Sequence, residues 1–541
     1  MTTARCAALT LLFVLLSGCR TEPERPRNLL LLSVDTLRAD ALGAAGHATA
    51  RTPNLDRLAA EGTSFTAAIS PMPRTTPALG SLLTGLWPHR HGSREVGDPI
   101  TAVPTLAEIL GARGFATLAV SANSTAGPKQ ELHRGFRSFV TYEDLIATYG
   151  DGLYRDLTPV APDQPGWATA VTREGLRLLE EVPRSEPWFL WLFYFDPHLL
   201  YRPPKPWQDV EATRCWELYE HFLARRGQVG QAFVDRGGVA SHARDDCRRL
   251  YDAEVAYVDS EIGRLFERLE AAGRLDDTLV VFTADHGENF GEGGLFFEHG
   301  DNAHDAGLHV PLVFQGPGVA RGRRDGGAVS LVDVVPTVLG LLGVPAATAA
   351  VDGVDLSARA RSGEAPEVPR SRVVFAESAN SMWNDSFELL GTGRLPGRIC
   401  INGERYTLCE VPSARPGVYR LFDHVADPDL TTDVAADHPA QVAALLEAWK
   451  RWPPESARQR VARTARFKLV QHPRLEGGYE NRLYDLENDP EETADVAAEH
   501  PDVVRHLGER LEEWSQGIPA APQRVFDPEV EARLRALGYL E

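Results

Sequence analysis

The stretch "NLLLLSVD", residues 28–35, is an apolar run that stops abruptly at an aspartate. Three later stretches share its form. "FATLAVS" (115–121) leads to Asn123, "FLWLFYF" (189–195) leads to Asp196 and His198, and "LVVFTA" (279–284) leads into Asp285 and His286. Continuous apolar runs of this length fit strands buried on both faces. Helical periodicity lies between them, as in "LYDAEVAYVDSEIGRLFERLEAAG" (250–273). The alternation predicts an α/β fold, a large sheet sandwiched by helices. Ligands collect at the carboxyl ends of strands in such sheets, so four polar clusters converging on one edge define a candidate site.

The chain has 541 residues, which suits one large domain and a smaller one, and its 43% hydrophobic and 24% charged content is that of a globular protein. Residues 1–18 place Arg5 before a short apolar run, "AALTLLFVLLSG", in the manner of a signal peptide. The run closes on Leu16-Ser17-Gly18-Cys19, similar to a bacterial lipobox. Cys19 would then carry lipid on an extracytoplasmic protein of the bacterial cell envelope, with 19–27 as tether; the alternative is a soluble secreted protein cut near Gly18. Loss of Arg5 takes the formal charge from -20 to -21, which argues against a nucleic-acid partner.

The larger domain is expected over 28–375 and a C-terminal α+β domain over 376–541. Residues of about 208–247 interrupt the strand–helix rhythm and read as an insertion. Cys215 and Cys247 bracket most of it. In an oxidising compartment the local pairings Cys215–Cys247 and Cys400–Cys409 are expected, with four buried free thiols as the alternative. Near the carboxy terminus "YRLFDHVADPDLTTDVAADHP" (419–439) is repeated as "NRLYDLENDPEETADVAAEHP" (481–501), and "ERYTL" (404–408) parallels "ARFKL" (465–469). This predicts a duplicated strand–helix unit.

Asp35, Asp285 and His286 offer two carboxylates and an imidazole from two strand ends, and the Thr75 hydroxyl could complete four ligands for one divalent ion. Oxygen donors suit Ca²⁺ or Mg²⁺, and the imidazole moves the balance toward Zn²⁺ or Mn²⁺. Thr75 opens "TTPALGSLLTG" (75–85). Thr76 before Pro77 reads as a helix N-cap, which puts Thr75 just ahead of a helix amino terminus, where a tetrahedral anion is favoured. A metal on its hydroxyl would make Thr75 a nucleophile. On chemistry alone, a capping role for Thr75 is the simpler reading.

These residues resemble the sulfatase family of the alkaline phosphatase superfamily. The resemblance rests on "NLLLLSVDTLRADALG", "RTPNLDRLAAEGTSF", "SLLTGLWPHRHG", "YFDPHLLYRPP", "VVFTADHGENFGEGGLFFEHG", "LHVPLVFQGPG" and "NRLYDLENDPEE", in the family's order over roughly residues 28–500. It implies a large mixed sheet between helices and a small C-terminal sheet domain. It also implies metal ligands at Asp35, Asp285 and His286, with Thr36 in place of a second aspartate, and Thr75 at the nucleophile position. His198 would contact substrate, His299 would face the leaving-group oxygen as a general acid, and Asn123 and His309 would line the substrate pocket. The other histidines singled out, His242, His438, His472 and His500, are expected to face solvent.

Two departures from the family frame matter. Thr75 cannot become the formylglycine used for sulfate-ester cleavage, and Leu79 stands where an arginine is usual. The resemblance therefore implies a metal-dependent hydrolase of phosphate, phosphonate or sulfate esters, acting through a covalent Thr75 intermediate on a small-molecule, lipid or glycan anionic ester. Three alternatives are an arylsulfatase despite the missing cysteine, a phosphoryl headgroup transferase, and a catalytically silent protein that binds an anion or glycan.

Overall fold

The computed structural model describes residues 25–150, 166–199, 201–207, 212–217, 239–292, 296–300, 302–345, 350–361, 368–378, 400–402, 405–410, 419–423, 426, 432–451, 458–473 and 478–518. The signal peptide with Cys19, most of the 208–247 insertion and the chain's last residues lie outside them.

Each apolar run forms a buried strand: β1 (Asn28–Val34), β2 (Thr63–Ile69), β3 (Ala116–Ser121), β4 (Ser138–Val140), β5 (Trp188–Tyr194) and β6 (Thr278–Ala284). With β7 (Asn289–Phe290) and β8 (Phe296–Glu298) forming a separate hairpin, the main sheet is completed by β9 (His309–Val310), β10 (Leu312–Gln315) and β11 (Arg323–Ser330). Its order is β11-β2-β10-β6-β1-β5-β3-β4, with β9 on β2. β1 lies parallel to both β5 and β6, β3 lies parallel to β4 and β5, and β10 runs antiparallel to β6 and β2. The sheet is thus mixed. The parallel strands deliver their carboxyl ends, and the polar residues beyond them, to one edge.

Burial explains the uninterrupted apolar runs. Every residue of β1, β5 and β6 is buried, because helices cover both faces. The helix Trp167–Glu180 packs so closely on β5 that a Cβ on Gly175 would stand 2.7 Å from Leu192 Cδ2. The helix expected at 250–273 is longer and begins earlier, spanning Val239–Ala271, and so includes the end of the insertion. Cys247 lies on this helix and is disulfide-bonded to Cys215, as expected. Closing a loop of this length constrains the unfolded chain by about 3–4 kcal/mol in the chain-entropy account.

The small antiparallel sheet has the order β12-β16-β17-β18, with β12 at Val374–Glu377, β16 at Arg460–Arg463, β17 at Phe467–Pro473 and β18 at Tyr479–Asp485. The boundary expected at 375 falls inside β12, which pairs along its whole length with β16 and therefore belongs to the smaller unit. Between these partners the chain forms a three-stranded sheet, β13 (Cys400–Asn402), β14 (Tyr406–Glu410) and β15 (Tyr419–Asp423), with Cys400 opposite Cys409 in the ladder.

The two repeat copies occupy separate sheets but share their wiring. Arg405 pairs with Asp423 as Arg466 pairs with Asp485, each at 2.7 Å. The N–H of Leu421 donates to Asp433 as that of Leu483 donates to Asp495, at 3.1 and 3.0 Å. His438 packs on Tyr406 and His500 on Phe467, both with ring centroids 5.1 Å apart, so these histidines are half-buried partners of the repeat, not solvent-facing. His472 is half-buried as well, whereas His242 is exposed.

The small sheet is held to the main domain by charge and by aromatic packing. Lys468, fully buried, meets Glu492 at 2.7 Å and Asp305 at 3.0 Å, and Arg463 also reaches Asp305, at 2.8 Å. Phe375 stacks on Trp514 and meets Trp87 edge-on, with centroids 5.4 and 5.9 Å apart.

Candidate active site

Thr75 opens the helix Thr75–Thr84, whose Leu79, Leu82 and Leu83 are buried in the core and whose end is capped by Gly85 in the left-handed region, φ 72°. The N-cap is Arg74, not Thr76 as the sequence suggested. The Thr76 hydroxyl instead donates to the Thr125 carbonyl at 2.8 Å and accepts from the Gly97 N–H at 3.2 Å, because the β3 loop packs against this turn. Thr75 is the first helical residue, so its hydroxyl is carried at the end where backbone N–H groups stay unpaired.

The sheet brings Thr75, Asp35, Asp285 and His286 together, all buried. The Thr75 Oγ1 lies 3.2 Å from His286 Nε2. That nitrogen is 3.4 Å from Asp285 Oδ2 and 3.8 Å from Asp35 Oδ1. Each carboxylate is pinned by one oxygen only. Asp285 Oδ1 accepts the N–H groups of His286 and Thr36, at 2.8 and 3.2 Å, and Asp35 Oδ2 accepts Asn123 Nδ2 at 2.7 Å. The other oxygens, Asp35 Oδ1 and Asp285 Oδ2, are buried with no hydrogen-bond partner. They turn toward the same point as His286 Nε2, whose ring is fixed when Nδ1–H donates to the Gly287 carbonyl at 2.9 Å.

Electrostatics make the same case. Burial, reinforced by the Asp285 charge, pushes the Asp35 carboxyl well above the ordinary carboxylate range, and burial pushes Asp285 up to about 7. Burial pushes His286 down to about 3. Two desolvated carboxylates with only the Thr75 hydroxyl beside them as a side-chain donor on the inward side are costly unless a cation balances them. One atom each from Asp35, Asp285 and His286 falls within 4.8 Å of the others, a set that fits one divalent ion, with Thr75 as fourth neighbour. Thr36, the second-aspartate position, takes a left-handed φ of 55°, uncommon for a β-branched residue. Its carbonyl accepts from Tyr251 Oη at 2.9 Å, and its N–H is the one bound to Asp285. Backbone strain here positions a carboxylate.

His198 and His299 border this centre. The His299 ring lies 4.4 Å from that of His286 and 5.2 Å from that of His198, centroid to centroid. His299 Nδ1 meets Glu288 Oε1 at 3.2 Å, and His198 Nδ1 meets the Leu199 carbonyl at 2.7 Å, so each ring has one nitrogen anchored. Burial pushes His198 down to about 4 and His299 well below its ordinary value.

The two residues assigned to the substrate pocket are placed differently. Asn123 has both ends occupied: Nδ2 holds Asp35, and Oδ1 accepts from the Thr125 N–H and hydroxyl, each at 2.8 Å. It positions a carboxylate. Asn123→Ala is expected to weaken divalent-ion affinity about 10- to 100-fold, the usual effect of removing a group that orients a ligand; calorimetric titration of the ion-free protein would show it, and unchanged affinity would refute it. His309 meets the Thr66 carbonyl of β2 at 2.9 Å through Nε2, which ties the ring to the sheet edge and not into this cluster.

Two residues escaped the sequence reading. Glu288 lies within the quoted "VVFTADHGENFGEGGLFFEHG", and its carboxylate stands against His299. Arg74, adjacent to Thr75, is almost fully buried, and its charge helps depress the protonation of His198, His286 and His299.

Human arylsulfatase A is 30% identical over 380 residues, covering 65% of this chain and 70% of that protein. An ulvan-active sulfatase of Formosa agariphila is 28% identical over 454 residues, covering 79% and 82%. Among solved structures, the phosphonate monoester hydrolase of Agrobacterium radiobacter superposes with a TM-score of 0.62 at 23% identity, covering 91% of this chain and 96% of that one, which is a likeness of fold. With the sulfatase family model matching residues 27–344, more than half of the chain, the protein belongs to the sulfatase family, ester hydrolases of the alkaline phosphatase superfamily.

Proposed function

We propose that the protein hydrolyses phosphodiesters or phosphonate esters, and sulfate esters less well, using Thr75 as nucleophile. One observation carries this reading: Thr75 Oγ1 stands 3.2 Å from His286 Nε2, at the point toward which the unpaired Asp35 Oδ1 and Asp285 Oδ2 turn. A divalent ion held by Asp35, Asp285 and His286, with Zn²⁺ or Mn²⁺ favoured by the imidazole, would acidify the Thr75 hydroxyl and draw charge from the ester.

The Thr75 oxygen gives its proton to water and bonds to phosphorus or sulfur as the bond to the leaving oxygen breaks; His299, neutral before the ester binds, would take up a proton once the ester's negative charge joins that of Glu288 beside its ring, and pass it to the leaving oxygen. Water then attacks the Thr75 ester, and the Thr75 oxygen departs and regains a proton. Ester and water become acid and alcohol. A threonine ester of sulfate must be broken by a second attack at sulfur, without the carbonyl hydrate that formylglycine provides, which is why phosphorus is favoured. The sulfatases among the relatives, one of them active on the glycan ulvan, keep sulfate esters and glycans among the substrates to test. A lipid on Cys19 would hold the enzyme at the cell envelope outside the cytoplasm.

A panel of aryl sulfate, phosphate monoester, phosphodiester and phosphonate substrates, each with Zn²⁺, Mn²⁺ and Ca²⁺, tests this. The highest kcat/KM is expected for a phosphodiester or phosphonate with Zn²⁺ or Mn²⁺. Aryl sulfate turned over faster than every phosphorus ester would overturn the preference.

A further inference from the structure

We infer that Arg74 is a catalytic residue, its guanidinium binding the non-bridging oxygens of the group that Thr75 attacks. The inference rests on the function proposed above. Arg74 precedes Thr75 and is extended, with φ -146° and ψ 138°, where the chain turns into the helix. Its guanidinium lies directly against Gly300, in the space a Cβ there would fill, one residue beyond His299. Gly300 has a φ of 102° and presents bare backbone to the arginine, so the side chain lies next to the His299 segment, in space that any other residue at 300 would fill.

The charges in this space give the guanidinium its function. Asp35 and Asp285 together offset a divalent ion. Glu288 is held against His299 at 3.2 Å, and the His299 ring stands 5.2 Å from that of His198. Leu79, one turn into the helix, is fully buried and apolar and brings no charge. A buried guanidinium next in the chain to the nucleophile carries five N–H donors in a planar fork, enough to keep a protein partner and still meet oxygens of a tetrahedral anion, in surroundings where a charge-assisted hydrogen bond is strong. Because charge on those oxygens changes during transfer, removing one preorganised donor group should lower rate more than ground-state binding.

The test uses the full chain loaded with its divalent ion. Arg74→Ala is expected to lower kcat/KM for the best phosphorus ester about 10²- to 10³-fold, mostly in kcat, with metal content unchanged. Guanidinium chloride at low millimolar concentration should restore at least about tenfold of that loss, as filling the vacated fork site would. Inhibition by tungstate, a tetrahedral oxyanion, should weaken by at least about tenfold, the loss of a charge-assisted pair. Arg74→Lys keeps the charge without the fork and should fall between. If Arg74→Ala fails to fold, tungstate inhibition of Arg74→Lys and Arg74→Gln decides, with Gln the weaker binder. A variant within about threefold of the parent in both turnover and tungstate inhibition would overturn the assignment, as would a loss that guanidinium does not relieve with tungstate binding intact. If the parent cleaves no ester in the panel, the proposed function fails instead, and direct titration of tungstate into parent and Arg74→Ala still decides for or against Arg74.

Discussion

Thr75→Ala is expected to lose at least about a thousandfold in kcat/KM toward its best ester while keeping its metal and its fold. The size follows from the place of the hydroxyl. It belongs to the helix's first residue, it is buried, and it lies 3.2 Å from His286 Nε2. Thr76 cannot take over, because its oxygen is already committed to Thr125 and Gly97 on the other side of the turn. The fold should tolerate the change, since alanine is a good helix former and loses only a methyl and a hydroxyl at this position. Thr75→Ser keeps the oxygen and should retain most activity. Acid-quenched turnover followed by intact-protein mass spectrometry should detect the substrate's phosphoryl or phosphonyl group on the parent and none on Thr75→Ala. Undiminished turnover by the alanine variant would remove Thr75 from the mechanism.

The second large effect is expected on removing the divalent ion, and it should depend on pH. In the ion-free protein Asp285 is pushed up to about 7 by burial, and Asp35 is raised in the same direction by burial and by Asp285. The folded state therefore keeps a proton that the unfolded chain releases near the ordinary carboxylate value. Stability from this source is present below about pH 4 and is lost as pH rises through about 7. The ion takes the place of that proton, so its own stabilisation grows over the same range, toward about 4 kcal/mol at a free concentration a thousandfold above its dissociation constant. Melting temperatures of chelated and loaded protein should be closer together at pH 5 than at pH 8. An equal gap at both would argue against the Asp35–Asp285 pair as the ion's site. Asp285→Asn should abolish stoichiometric metal and activity together, and should flatten the pH dependence of the chelated protein.

Much of this molecule could be read before any coordinates. The apolar runs could become buried strands only in a covered sheet, since an exposed face would have required alternation. Because those strands are parallel, the residues at their ends had to meet at one edge, which is why Asp35, Asp285, His286 and Thr75 were legible as a set. The C-terminal duplication was equally plain, because the two copies repeat their turn residues as well as their apolar positions.

Tertiary structure decided the rest, wherever the answer depended on which side a short polar group faces. Thr75 and Thr76 are adjacent and chemically alike, and only the packing of the β3 loop against Thr76 settles which hydroxyl faces the carboxylates. Asn123 had the composition of a pocket residue, and only the fold shows its amide bridging Asp35 and Thr125. His309 belongs to a quoted motif, but its ring is bound to a β2 carbonyl. Arg74 gained meaning only when Gly300, 226 positions away in the chain, was found beneath its guanidinium. Sequence pattern by itself determined the strands, the sheet edge and the ligand types, because burial and periodicity act along the chain. The direction of each donor and charge was left to contacts between distant segments, which no local pattern encodes.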